Sequence, residues 1–141
     1  MSVHTRDEKH VLSMANENYL KSIYRLSLAG DPSEGVRSVD IADQLDVSKA
    51  SVNKAILTLK EAGFVEQTPY GRIILTEGGK SYASQVWLAY SVLHAFLTKQ
   101  LGVSPEIADQ EACFMEHALS NDTLMKWNSY LDSIGTSIDD N

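Results

Sequence analysis

Three side chains that commonly bind metal ions lie within five residues of the sequence: Cys113, Glu116 and His117. The segment that contains them has the start signals of a helix, with Ser104 as a cap and Pro105 in the first turn. Positions i, i+3 and i+4 share one face of an α-helix. A thiolate, a carboxylate and an imidazole are therefore expected to converge, and a divalent transition metal accepts these three ligand types together.

Other interpretations of these residues remain open. Cys113 is the only cysteine, which excludes an internal disulfide. Its side chain is then a buried apolar residue of the core, a reactive thiol or a metal ligand. His117 could equally be a core histidine, and Glu116 a surface charge. An enzyme is not expected, because the sequence has no Gly-rich phosphate loop, no zinc-protease histidine pair and no nucleophile elbow. Two groups four residues apart on one helix also leave little room for a substrate.

The rest of the sequence predicts a mainly α-helical protein. Apolar residues recur at helical spacing and polar caps mark the starts of the helices. The predicted helices cover residues 13–29, 38–45, 48–63, 77–100, 104–119 and 120–134. Two short β-type runs, residues 64–68 and 72–76, flank Pro69, Tyr70 and Gly71, which predict a tight hairpin.

A short helix, a tight turn, a second helix and a hairpin form the pattern of a winged helix-turn-helix DNA reader. The second helix would place its N-terminal end in the major groove, and its exposed residues are small, polar or basic. The candidate DNA-binding residues are Ser48, Lys49, Ala50, Ser51, Asn53 and Lys54 on this helix, with Tyr70 and Arg72 at the wing.

The charge distribution is consistent with this assignment although the net charge is −7. The excess acidity is C-terminal, because residues 104–141 hold eight acidic side chains and one basic side chain. Residues 48–60 hold three lysines and no acid, so phosphate contact is permitted there. No apolar run approaches the roughly 18 residues of a membrane span, and residues 1–10 lack the apolar region of a signal peptide. We therefore expect a cytoplasmic protein.

From about residue 15 to residue 134 the sequence resembles the DtxR/MntR family of metal-dependent repressors. The resemblance is carried by short motifs in a specific order. These are Asn18-Tyr19-Leu20, Ile23-Tyr24, Ile41-Ala42, Leu45, Val47-Ser48, Leu59, Ala62-Gly63-Phe64-Val65, Leu75-Thr76, Gly78, Gly102, Glu111-Ala112-Cys113 and Glu116-His117-Ala118-Leu119-Ser120.

The resemblance implies a division into domains. It predicts a winged helix-turn-helix DNA-binding domain at 13–76, while the polar sequence before it predicts a flexible N-terminus at residues 1–12. An all-helical dimerisation and metal-binding domain would follow at 77–134, and an acidic tail at 135–141. The SH3-like domain that longer members carry is not expected.

The resemblance also implies the ligands of a primary metal site. Asn18 occupies the first-helix position that usually supplies one ligand, and Cys113, Glu116 and His117 match the fifth-helix ligands of the iron-type branch. The cofactor would be Fe²⁺ or Mn²⁺ in the first place, with Zn²⁺, Co²⁺ or Ni²⁺ as alternatives, and the sulfur ligand favours the softer ions.

The chain departs from the family at the other metal positions. Tyr90 stands where the family expects a histidine, while His94 and Asp109 occupy ancillary-site positions and remain candidate ligands. Lys21 stands where the manganese-type branch has a glutamate, and its ammonium would repel a second ion. A two-metal site of the manganese type is therefore not expected.

These inferences predict a homodimeric, metal-dependent regulator that binds double-stranded operator DNA and represses metal-uptake genes. Metal would join the first helix to the fifth and favour the DNA-binding arrangement. The alternative is a metal-independent winged-helix regulator that responds to a small molecule or to oxidation of Cys113.

Overall fold

Six α-helices and one β-hairpin follow one another in residues 12–136, the part of the chain that the computed structural model describes. Their bounds are α1 Met14–Ala29, α2 Ser38–Leu45, α3 Lys49–Glu61, β1 Val65–Gln67, β2 Ile73–Leu75, α4 Glu77–Ala95, α5 Pro105–Ala118 and α6 Asn121–Ser133. The described residues divide into two compact units, 12–84 and 85–136. Residues 1–11 of the predicted flexible N-terminus and residues 137–141 of the predicted tail lie outside the described residues.

The predicted caps define where three of the helices begin. Ser13, Ser48 and Ser120 have extended backbones, and each hydroxyl accepts the backbone N–H three residues further on, at 3.1–3.2 Å. Each bond satisfies one of the four N–H groups that a helix start leaves without a partner. Pro105 begins α5, where its missing N–H costs nothing.

In the first unit, α1, α2 and α3 pack around a shared apolar core. The buried residues include Leu20, Ile23, Ile41, Val52, Ile56, Leu59, Phe64 and Ile73. A turn of three residues joins α2 to α3, and Asp46 adopts a left-handed conformation in it, with φ of 56°. This is the tight turn that the helix-turn-helix pattern requires.

The wing is an antiparallel hairpin with Val65 opposite Leu75 and Gln67 opposite Ile73. Val36 extends it by a bridge to Ile73, in which each backbone N–H donates to the other residue's carbonyl at 2.8 Å. Both strands are three residues long and therefore shorter than the predicted runs. The bridge was not predicted, because a single residue paired across 37 positions leaves no periodic signal.

Gly79 allows the first turn of α4 to pack against the backbone of Phe64, in the connection between α3 and β1. A Cβ added at Gly79 would lie 2.0 Å from the carbonyl oxygen of Phe64. That oxygen also accepts the backbone N–H of Thr76 at 3.0 Å, and the Thr76 hydroxyl accepts the N–H of Gly79 at 3.0 Å. Only a residue without a side chain fits at this contact.

The second unit contains the rest of α4 with α5 and α6. Leu93 and Leu97 pack with Ala108 and Ala112 of α5 and with Leu124 of α6. The predicted helix 77–100 is confirmed in extent, but its last turn differs in type. Residues 96–100 form a π-helical turn, after which the N–H of Leu101 donates to the carbonyl of Phe96 at 3.2 Å. No helix within residues 12–136 has the length and apolarity that crossing a membrane requires.

Candidate DNA interface and metal centre

The N-terminal half of α3 presents a polar surface to solvent. Ser48, Lys49, Ala50, Ser51, Asn53 and Lys54 are all exposed, whereas Val52, Ala55 and Ile56 on the opposite face are buried. The amphipathic pattern of α3 explains this division, since the apolar stripe that packs on α1 and α2 leaves the other face free. The predicted DNA-binding residues of α3 therefore lie together on one accessible surface.

The basic side chains near this surface differ in whether another side chain binds them. Neither Lys49 nor Lys54 has an ion-pair partner among residues 12–136. Lys60, in contrast, donates to the side chain of Gln67 in the wing at 3.2 Å. Arg37 donates twice to the carboxylate of Asp40, at 3.0 and 3.1 Å, and these bonds raise the pKa of Arg37. Lys49 and Lys54 are thus exposed cations of α3 that no acidic side chain of the described residues neutralises.

The wing carries the last two predicted DNA-binding residues. Tyr70 is 94% exposed at the tip, between Thr68 and the turn residue Gly71. Arg72 is half-buried, and its backbone N–H donates to the hydroxyl of Thr68 at 3.0 Å. Tyr70 therefore projects as a free aromatic ring, while Arg72 is anchored at its backbone.

The three predicted metal ligands of the second unit lie on α5. Glu116 is buried with 1% of its surface exposed, whereas Cys113 and His117 are half-buried. Within the described part of the chain, no three His, Cys, Asp or Glu side chains are gathered closely enough to hold an ion. All three residues lie on a helix, as predicted. Their convergence on one ion, and the metal site itself, stay predictions.

Asn18 lies on α1 and is half-buried. Its side-chain oxygen is buried and has no hydrogen-bond donor among the described residues. Buried acceptors nearly always have a partner, and an amide oxygen is a ligand that Fe²⁺ and Mn²⁺ accept. The donor types at Asn18, Cys113, Glu116 and His117 therefore fit a divalent transition metal.

The candidate ancillary residues have a different arrangement. The hydroxyl of Tyr90 on α4 donates to the carboxylate of Asp109 on α5, and the ring of Tyr90 packs on His94 with 5.5 Å between ring centroids. The Nδ1 atom of His94 is buried without a hydrogen-bond partner in residues 12–136. These residues do not fit a metal site as they stand, because a phenol takes the place of a strong ligand.

Sequence reasoning missed one polar group next to Asn18. Glu17 is fully buried and accepts the hydroxyl proton of Tyr82, which is also fully buried, at 2.7 Å. The same hydroxyl accepts the backbone N–H of Leu12 at 3.3 Å, so Leu12 is held although the prediction placed it in a flexible segment. The sequence did contain a signal for the burial of Glu17, because Glu17 lies on the same helix face as the apolar residues Leu20 and Tyr24.

Two family models match the chain in sequence. Residues 11–73 match the family described as iron dependent repressor, N-terminal DNA binding domain. Residues 76–140 match the iron dependent repressor, metal binding and dimerisation domain.

Individual relatives agree with these matches. The transcriptional regulator MntR of Salmonella typhimurium is 37% identical over 101 residues, which are 72% of this chain and 64% of the relative. The regulator MntR of Oceanobacillus iheyensis is 32% identical over 120 residues, which are 84% of this chain and 74% of the relative. The solved structure of the manganese regulator SloR superposes with a TM-score of 0.72 at 26% identity, over 83% of this chain and 53% of that one.

The chain thus spans less than two thirds of the Salmonella relative and about half of the SloR chain. Both domains nevertheless match in the same order as in the family, and the helical fold agrees. The chain belongs to the DtxR/MntR family of metal-dependent transcriptional regulators.

Proposed function

We propose that this protein is a metal-dependent transcriptional repressor that binds operator DNA as a homodimer and controls metal-uptake genes. The observation that carries the proposal is the combination of two features in one chain. An exposed polar surface on α3 is followed, in the family's domain order, by a helix with three metal-ligand side chains. A regulator of this kind would act in the cytoplasm, where the chromosomal DNA lies. It would have no catalytic activity.

The DNA contact is proposed for the N-terminal end of α3. Lys49 and Lys54 would contact phosphates, while Ser51 and Asn53 would bond base edges in the major groove. Tyr70 at the exposed wing tip would reach the backbone or the minor groove. Two copies related by a two-fold axis would read a palindromic operator whose half-sites lie one helical turn, or a multiple of it, apart.

The metal site is proposed for Cys113, Glu116 and His117, with Asn18 as the fourth ligand and Fe²⁺ or Mn²⁺ as the ion. A bound divalent ion would supply the positive charge that offsets the buried carboxylate of Glu116. Cys113 would bind as the thiolate and His117 as the neutral imidazole. Because Asn18 belongs to α1 of the DNA-binding domain, ion binding and DNA binding would be thermodynamically linked.

The test is selection of operator sequences from a random duplex library, with and without Fe²⁺, Mn²⁺, Zn²⁺ or Co²⁺, followed by titration of the selected duplex. We expect the metal to raise DNA affinity by about 5–150-fold, the usual range of an allosteric coupling. Cys113→Ser should reduce this gain and leave the affinity without metal unchanged. The double variant Lys49→Ala/Lys54→Ala should weaken binding in both conditions and lower the salt dependence.

Each part of the proposal can fail separately. Equal DNA affinity with and without metal in the parent protein would remove metal control and leave the DNA claim intact. Binding that is unaffected by the double lysine variant would remove the assignment of α3. The matched control is Lys126→Ala, since this exposed lysine of α6 pairs with Asp122 and lies outside the proposed DNA surface.

A second candidate function is a metal-independent regulator that responds to a small molecule or to oxidation of Cys113. It is favoured by the half-buried thiol and by the lack of any gathered set of three ligands in the described residues. This candidate predicts that peroxide changes DNA affinity in the parent and not in Cys113→Ser. It also predicts that metal has no effect on either protein.

A further inference from the structure

Tyr90 is in contact with both residues of a second potential pair of metal ligands. Its hydroxyl donates to the Asp109 carboxylate, its ring packs on His94 at 5.5 Å, and Trp87 stacks on it at 5.3 Å. All four residues belong to the second unit, where α4 supplies three of them and α5 supplies Asp109. Two helices are therefore joined at this point by a phenol.

The contacts of Tyr90 are incompatible with a cation held between its two neighbours. Imidazole and carboxylate ligands lie about 2.0–2.2 Å from an ion such as Zn²⁺, so the two ligand atoms must come within about 4 Å of each other. Here the aromatic ring of Tyr90 packs on one ligand while its hydroxyl engages the other. A hydrogen bond from a hydroxyl to an ionised carboxylate is also one of the stronger kinds.

We propose that Tyr90 closes a second cation position in this chain, and that its hydrogen bond to Asp109 joins α5 to α4 where an ion would otherwise do so. The proposal rests on the proposed function only in taking Cys113, Glu116 and His117 as the first metal site. It assigns Tyr90 as the residue that limits how many ions each subunit binds.

The same arrangement indicates which substitution would allow a second ion to bind between His94 and Asp109. His94 has a buried Nδ1 atom without a partner in residues 12–136, and Asp109 is exposed and can turn toward an ion. Replacing the phenol by an imidazole would add a second nitrogen ligand beside these two groups. Two imidazoles and one carboxylate suffice to bind Zn²⁺, Co²⁺ or Mn²⁺.

The experiment measures how many Co²⁺ ions each subunit of the full chain retains in equilibrium dialysis, with the visible absorption spectrum as a second readout. We expect Tyr90→His to retain one Co²⁺ more than the parent and to gain an absorption band. The double variant Tyr90→His/Asp109→Ala should lose both the additional Co²⁺ ion and the additional absorption band. Tyr90→Phe is the matched control, and it should retain the same number of ions as the parent.

The hydrogen bond is tested without metal. Tyr90→Phe should lower the midpoint of thermal unfolding of the metal-free protein by about 2–4 °C, as expected for the loss of one hydrogen bond in a chain of this size. An unchanged midpoint would overturn the structural part of the proposal. This measurement also remains informative should Tyr90→His fold poorly.

Two other outcomes would overturn the assignment of Tyr90. One is a parent protein that already loses bound Co²⁺ on Asp109→Ala, which would mean that the position is open. The other is an extra ion in Tyr90→His that survives Asp109→Ala. These outcomes can be distinguished from failure of the first metal site. If the first site is wrong, the parent protein binds no Co²⁺ ion. The proposal for Tyr90 is tested by the number of ions that Tyr90→His binds in excess of the parent.

Discussion

The buried carboxylate of Glu17 shows how one residue can link distant parts of the first unit. Its partner Tyr82 lies 65 positions later in the sequence and stacks at a tilt on Phe64, with 5.0 Å between ring centroids. Burying a carboxylate is costly unless hydrogen bonds stabilise it. The Tyr82 hydroxyl therefore supplies a hydrogen bond to a buried carboxyl group that is adjacent in sequence to the proposed ligand Asn18.

Removing this hydroxyl should be costly. We expect Tyr82→Phe to lower the free energy of unfolding by about 1.5–3 kcal/mol, because Glu17 loses a donor in a site that water does not reach. Chemical denaturation of the metal-free chain measures the change. Tyr70→Phe is the matched control, and it should leave stability unchanged since Tyr70 is 94% exposed.

At the residue scale, sequence reasoning could identify ligand types but not their partners. The spacing of Cys113, Glu116 and His117 was readable because it lies within one helix turn. The contacts of Tyr90 with Asp109 and of Glu17 with Tyr82 join residues 19 and 65 positions apart. No local pattern encodes such pairs, because they depend on how the helices pack.

The helices and strands were more predictable than the side-chain contacts. Polar caps at Ser13, Ser48 and Ser120 gave the correct starts, since capping is a local interaction within four residues. The π-helical turn at Phe96–Gln100 was not predicted. A single π-helical turn lengthens the hydrogen-bond spacing from i, i+4 to i, i+5, and this change leaves the apolar pattern of the sequence almost unaltered.

Gly78 and Gly79, at the start of α4, allow the effect of helix propensity on stability to be separated from the effect of close packing. A Cβ at Gly79 would meet the Phe64 carbonyl oxygen at 2.0 Å, whereas a Cβ at Gly78 has its nearest neighbour at 3.9 Å. We expect Gly79→Ala to destabilise the protein by about 2–3 kcal/mol. Gly78→Ala should be neutral or stabilise it by up to about 1 kcal/mol, because alanine favours helix. Thermal unfolding of the two variants would decide, and equal midpoints would contradict the packing argument.

At the scale of the whole molecule, exposed apolar side chains are frequent in the second unit. Leu88, Leu101, Ile107, Phe114, Met125, Tyr130 and Ile134 are each more than 40% exposed. Leu88 and Met125 also line a groove of about 280 Å³ between α4 and α6. Exposed apolar patches commonly mark interaction surfaces, and the matched family domain is described as a dimerisation domain.

This surface yields a test of self-association. Met125→Glu places a charge in the groove and should weaken the proposed dimer by about tenfold or more, or about 1.4 kcal/mol, measured by sedimentation equilibrium. Lys126→Gln is the matched control, since it changes the net charge by the same amount at the neighbouring exposed position. Unchanged association in Met125→Glu would place the interface on another face.

The contacts of Tyr82 bear on how the DNA-reading half could be excised for separate study. The first compact unit continues through Ser84, about two turns into α4, rather than stopping where the wing ends. A fragment cut at Thr76 would leave Glu17 and Phe64 without the phenol that covers them. A recombinant reading head, or a graft of it onto another scaffold, must therefore carry those opening turns of α4 with it.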